Sequence, residues 1–161
     1  MSPDIAEKTL APQPVATMRR TTTLDSVGAA LHAILPPVWS YLEAQGVPAA
    51  GPPFVRYHAR EGERVDIEAG FPVAAPLDAP EGAGEVAGSE LPGGPAVAAW
   101  HVGPYDTLSE TYAALEAWLA AQGRAPAGAP WEVYWTDPGA EPDPSRWRTE
   151  IVWPISPSAT A

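Results

Sequence analysis

Three aromatic rings and one carboxylate fall within five residues, Trp131 to Trp135, in the run WEVYW. Side chains alternate along an extended strand, so Glu132 and Tyr134 share one face while Trp131, Val133 and Trp135 share the other. An acid set among phenol and indole rings suits a flat, lipophilic cation, which gains ring-face attraction and ion pairing once water is removed. The plain alternative is a rim carboxylate, hydrated or paired with Arg56 or Arg148. Other residues that could line such a site are Tyr57, Trp100, His101, Tyr105 and Tyr112. Among the tryptophans core packing is the simpler role for Trp118 and Trp153, while Trp39, Trp100, Trp135 and Trp147 could either pack in the core or line a site. Glu68 and Glu150 alternate with apolar neighbours and read as structural acids paired with backbone amides or an arginine.

Several chemistries lack their residues. The chain has no cysteine, so it can form neither a disulfide nor a thiolate metal site. His32, His58 and His101 show no metal-ligand spacing, and neither a phosphate-cradling glycine loop nor a G-x-S-x-G elbow occurs. No metal and no cofactor is expected. Nine Lys and Arg against 20 Asp and Glu give a formal charge of −11, which repels phosphate backbones and anionic lipid. Direct nucleic-acid or membrane binding is therefore not expected. The acid excess also serves solubility. The first residues lack a signal-peptide pattern and no apolar run reaches the length of a membrane span, so the expected location is the cytoplasm.

The elements that would position these residues come from an internal repeat. Residues 41–58 and 118–135 align at a constant offset of 77, and Leu42, Ala44, Gln45, Gly46, Ala50, Gly51, Pro53 and Tyr57 recur as Leu119, Ala121, Gln122, Gly123, Ala127, Gly128, Pro130 and Tyr134. Further on, 67–73 matches 149–155 at an offset of 82, placing Glu68 opposite Glu150. Upstream, Val15-Ala16 has a counterpart in Val97-Ala98. Each copy reads strand, helix, strand, strand. In the first, a strand over 15–22 precedes a helix with Asp25 as N-cap and a stripe of Val27, Leu31, Ile34, Val38 and Leu42, which Pro36-Pro37 should kink or split. In the second, Thr107 and Glu110 read as a capping box ahead of Leu108, Tyr112, Leu115 and Leu119. Gly46 and Gly123 end the helices. Strands follow at 53–59, 64–73, 130–136 and 147–155.

The organisation is one α+β domain over 14–155. Repeat one spans about 14–74, a linker about 75–94 with a short strand near 85–91, and repeat two about 95–155; 1–13 and 156–161 read as disordered tails. Two such pseudo-symmetric β-α-β-β units form an antiparallel sheet with two helices and a ligand cleft between the repeats. The repeat sets Tyr57 opposite Tyr134 but Val55 opposite Glu132, so the expected cleft holds two tyrosines and one unmatched acid.

The segments TTTL (21–24), GPPFVRYH (51–58), VDIEAGFPV (65–73), LPGGPAVAAWHVGPYDTL (91–108), WEVYWTDP (131–138) and TEIVWPI (149–155), in that order, resemble the gyrase-inhibitor-like (GyrI-like) effector-binding domain. The resemblance covers about 14–155. It implies paired β-α-β-β units and a role for Glu132, which matches the ligand-contacting acid of the family's E-[VI]-Y strand. In transcription activators of this kind a DNA-binding region precedes the domain. Here about thirteen residues precede the first expected strand, too few for a helix-turn-helix, so a stand-alone member is expected.

The resemblance leaves three readings of function. The first is capture of amphipathic, cationic or electrophilic aromatic molecules, as in multidrug sensing, drug resistance or detoxification, with Glu132 as the charge and Tyr57 and Tyr134 as walls. The second is hydrolysis of cyclopropanoid DNA-alkylating natural products, with Glu132 as general base on water and Tyr57 or Tyr134 donating to the developing oxyanion. The third is an acidic inhibitor that binds gyrase or another protein partner.

Overall fold

The computed structural model describes residues 4–77, 86–137 and 139–156. Its elements in chain order are β1 (Asp4–Leu10), β2 (Gln13–Thr23), α1 (Val27–Gln45), β3 (Phe54–Glu61), β4 (Arg64–Pro72), β5 (Ala87–Leu91), β6 (Gly94–Val102), α2 (Leu108–Ala121), β7 (Trp131–Tyr134) and β8 (Arg148–Pro154). This is the α+β arrangement of antiparallel strands and two helices that the sequence implies. The chain divides into two compact units, residues 11–93 and residues 1–10 with 94–161.

In the unit of 11–93, neighbouring strands run β3, β4, β2, β5. In the other they run β7, β8, β6, β1. Each unit thus holds the expected β-α-β-β motif plus a fourth, edge strand. For the first unit that strand is β5, which lies in the stretch expected as a linker; most of the rest of that stretch falls outside the described residues. For the second it is β1, drawn from the chain's beginning. The expectation of a disordered tail over 1–13 is corrected: Asp4–Leu10 pair with Trp100–Gly94. The reason is physical. An edge strand needs one partner and hides little apolar surface, so its sequence stays polar.

Helix α1 buries Val27, Ala30, Ile34, Val38 and Leu42, at spacings of three and four that keep them on one face. Pro36 and Pro37 lie inside this one helix rather than splitting it. The carbonyls that lose their donors belong to His32 and Ala33, which face solvent and can be hydrated. Two expected caps are also corrected. Ser26, not Asp25, occupies the α1 N-cap, and Thr107 caps α2 without a side-chain bond to the helix. The Thr107 hydroxyl donates instead to the Pro104 carbonyl.

Helix α2 lays Leu115 and Leu119 on Val97, Ala99 and Ile151, with Ile155 completing the buried cluster and Tyr112, Trp118 and Trp153 packed at its margin. Val97 faces the helix here. Val15 sits between Pro72 and Ser89 in register, on the face shared by Thr17 and Glu68, not on the face where Phe71 meets Trp39 of α1. The proposed correspondence of Val15 with Val97 therefore slips by one residue. Among the described residues, no helix is long and apolar enough to cross a membrane.

Candidate functional site

The site is built on β7 and the helix that covers its sheet. Trp131, Glu132, Val133 and Tyr134 of β7 lie opposite Val152, Ile151, Glu150 and Thr149 of β8. Paired residues share a face, so Glu132 and Tyr134 lie with Ile151 on the α2 side, and Val133 lies with Glu150 on the other. Glu132 is 4% exposed. The rim alternative is thus corrected: this acid is enclosed.

Its enclosure is chemical as well as steric. Tyr112, one turn into α2, donates its hydroxyl to one carboxylate oxygen at 2.7 Å, and Tyr134 donates to the other at 2.8 Å. Hydrogen bonds to an ionised acceptor are the stronger kind. A buried carboxylate needs such donors, since desolvating it alone costs far more than one bond returns. The Tyr112 contact depends on Tyr112 lying three residues before Leu115, so that the leucine anchors the helix while the phenol reaches β7.

A second layer of rings surrounds the tyrosines. Tyr105 meets the edge of Tyr134 at 5.5 Å between centroids and leans on Trp147 at 4.9 Å, while Tyr112 meets Trp153 edge-on at 6.0 Å. Burial pushes the Tyr105 phenol up, and the nearby carboxylates of Asp137 and Glu132 push it further. Tyr105 therefore stays neutral, an aromatic wall rather than a second anion.

His101 shares the helix-side face but does not present its ring to that wall. It is 6% exposed, with Nδ1 2.7 Å from the Thr111 hydroxyl and Nε2 2.9 Å from the Pro104 carbonyl. A carbonyl can only accept, so Nε2 carries the proton, and in the neutral ring Nδ1 accepts from Thr111. The histidine pins the turn of Gly103 to Thr107, where Gly103 takes φ 133°, a value that glycine alone adopts readily. That turn carries Tyr105. His101 thus acts on the candidate site through Tyr105.

Trp100 is not brought to Glu132. It pairs with Glu150, which places it on the opposite face, where Arg148 stacks over its ring at 4.7 Å and Trp135 lies 6.0 Å away. There Glu150 is held by Lys8 at 2.6 Å and by the Trp135 indole N–H at 3.2 Å. Tyr57 is half-buried on β3 of the other unit, beside Ile67 of β4. In that unit Glu68, 4% exposed, takes Thr17 at 2.8 Å and His58 at 2.7 Å. Burial works to raise the Glu68 carboxyl. The hydrogen bonds from His58, Thr17 and Ser89 and the His58 charge outweigh it, holding the group below its ordinary value. Glu68 and Glu150 are buried acids whose hydrogen-bond partners include a histidine, a threonine, a serine, a lysine and an indole, and the charges of Arg19 and Arg56 bear on Glu68. Among the described residues, no cluster of His, Asp and Glu could hold a metal.

The profile of the GyrI-like small molecule binding domain matches residues 3–156, and the chain belongs to that family. Among solved structures it is similar to the C-terminal domain of EcmrR, at 25% identity and a TM-score of 0.84 over 97% of this chain and 99% of that one. It is also similar to EcmrR in an EcmrR–DNA complex, at 26% identity and a TM-score of 0.79, where it covers 96% of itself but only 57% of that chain. The chain therefore spans a little over half the length of that protein. A hydrolase from Listeria innocua has the same fold at 13% identity and a TM-score of 0.67, with 96% and 93% of the two chains covered. No curated protein matches.

Proposed function

We propose that this small-molecule-binding domain captures lipophilic aromatic cations at Glu132. The observation that carries the reading is a carboxylate enclosed within a shell of aromatic rings and held by two phenols, Tyr112 and Tyr134. A cation reaching this shell meets the electron-rich faces of Tyr105, Tyr134 and Trp147 first and the charge behind them second. The phenols hold the acid aligned while no ligand is present, and a cation can be accommodated by rotation of either hydroxyl. The −11 charge raises the concentration of cations at the surface. It also supports the view that this chain does not itself contact DNA phosphates.

Hydrolysis receives less support. Each Glu132 oxygen already accepts a phenol hydroxyl, and these bonds hold its electron pairs and lower its strength as a base toward water. Inhibition of gyrase draws support from net charge alone. The test is equilibrium dialysis against matched aromatic ligands that are cationic, neutral and anionic. Retention of the cation at least tenfold above its neutral match supports the reading; equal retention of all three sinks it.

A further inference from the structure

The two repeats build the same corner at the end of their helices and then fill it differently. In repeat one, Gly46 takes φ 67° and the Val47 N–H reaches back to the Leu42 carbonyl at 2.9 Å; in repeat two, Gly123 takes φ 64° and the Arg124 N–H reaches the Leu119 carbonyl at 2.9 Å. Past the turn, Ala50 N–H donates to Pro72 O at 2.8 Å and Ala127 N–H donates to Pro154 O at 2.9 Å. Backbone for backbone the corners agree.

The side chains do not. In repeat two the corner is closed by Arg124, only 10% exposed, whose guanidinium bonds the Ser156 carbonyl at 2.8 Å and Glu7 at 2.7 Å. Repeat one has Val47 at that position, which can reach nothing comparable. Trp39 stands where repeat two has Glu116, and Glu43 where it has Ala120. The result is a hollow of about 410 Å³, open to solvent, walled by Trp39, Leu42, Val47 and Pro48, with Glu43 at its mouth. Its size falls in the range of small-molecule sites. Trp39 is braced edge-on against the buried Phe71 at 5.3 Å yet stays 46% exposed. A large indole held rigid and left uncovered, beside an exposed carboxylate, is an arrangement that attracts a cation carrying a ring.

We propose that this helix-end hollow of repeat one is a second ligand site, for small aromatic ammonium compounds, with Trp39 and Pro48 contacting the ring and Glu43 the positive charge. It lies wholly within the unit of residues 11–93 and does not depend on the reading of Glu132.

The probe is benzyltrimethylammonium, followed by ¹H–¹⁵N NMR of the whole chain. The Trp39 indole N–H and the Val47 and Ala49 amides should shift saturably, and should do so equally in Glu132→Gln. Val47→Arg, which installs the residue that the matching corner of repeat two already tolerates, should weaken binding at least tenfold. Glu43→Gln, an exposed change, should weaken it about two- to fivefold, and uncharged benzyl alcohol should bind more weakly than the ammonium. Absence of saturable shifts at these residues, shifts lost in Glu132→Gln, shifts indifferent to Val47→Arg, or benzyl alcohol binding as tightly as the ammonium would each overturn the proposal.

Discussion

Replacing Tyr112 by Phe removes one oxygen atom and little else, so the structure makes a two-sided prediction for it. The lost bond is a 2.7 Å hydroxyl-to-carboxylate contact on an acid that is 4% exposed. Hydrogen bonds to charged groups contribute about 1.5–3 kcal/mol. Packing against Trp153 and the α2 cluster is kept, because the ring remains. Stability should therefore fall by about 2 kcal/mol. With a urea slope of about 2 kcal/mol/M that is a midpoint shift of about 1 M at unchanged slope. The same change releases one Glu132 oxygen from its phenol, so affinity for a lipophilic cation should rise even as the fold weakens. Urea unfolding followed by tryptophan fluorescence reads the first effect and ligand titration the second. A variant as stable as wild type, or one that loses cation affinity while folded, would refute the reasoning that Tyr112 occupies the acid.

Glu68→Gln should lower stability near neutral pH by about 2 kcal/mol, because a charge-assisted pair with His58 and Thr17 is lost. The Glu68 carboxyl is held below its ordinary value, so its contribution is complete above the unfolded pKa, near 4.5, and disappears as pH falls through the lower folded value. Wild type and variant should accordingly converge in acid unfolding curves as pH falls below about 4.5; parallel curves would contradict the assignment. His101→Ala should unpin the Gly103–Thr107 turn, with a several-fold loss of cation affinity that Tyr105→Ala reproduces and does not add to, as read in a double-mutant cycle. Incubation with a cyclopropanoid alkylating compound should leave its mass unchanged over many turnover times; gain of one water would instead place Glu132 in a hydrolytic role.

Much of the site was legible because strand alternation and the repeat both act on short range. WEVYW fixed Glu132 and Tyr134 on one face, and the stripe of Leu108, Tyr112, Leu115 and Leu119 fixed Tyr112 on the buried side of its helix. Trp100 was misplaced because alternation gives the relative faces of residues within a strand, while the face that meets the helix is set by pairing with β8, a long-range choice. His101 was placed on the correct side, but its hydrogen bonds to Thr111 and Pro104 turn it into a support for Tyr105, which spacing alone does not reveal. Strand β1 was illegible for another reason. DIAEKTL shows no sustained apolar alternation, and its place depends on the edge of β6, on Ile5 packing against the cluster under α2 and on Lys8 reaching Glu150. The hollow beside Trp39 left three traces in the sequence, the exchanges of Arg124 for Val47, Glu116 for Trp39 and Ala120 for Glu43 between the repeats, whose meaning needs the corner's geometry.

The most direct test of the central claim is calorimetric titration of tetraphenylphosphonium, a permanently charged aromatic cation, into wild type and Glu132→Gln. Glutamine keeps the size; its carbonyl can accept from one phenol while its NH2 donates to the oxygen of the other, so the charge is lost and both contacts can persist with one reversed. Truncating a desolvated charge pair costs about 2–5 kcal/mol, and the account predicts that affinity drops at least tenfold while a neutral aromatic of the same shape binds both proteins alike. Equal affinity of the two proteins for the cation would contradict it.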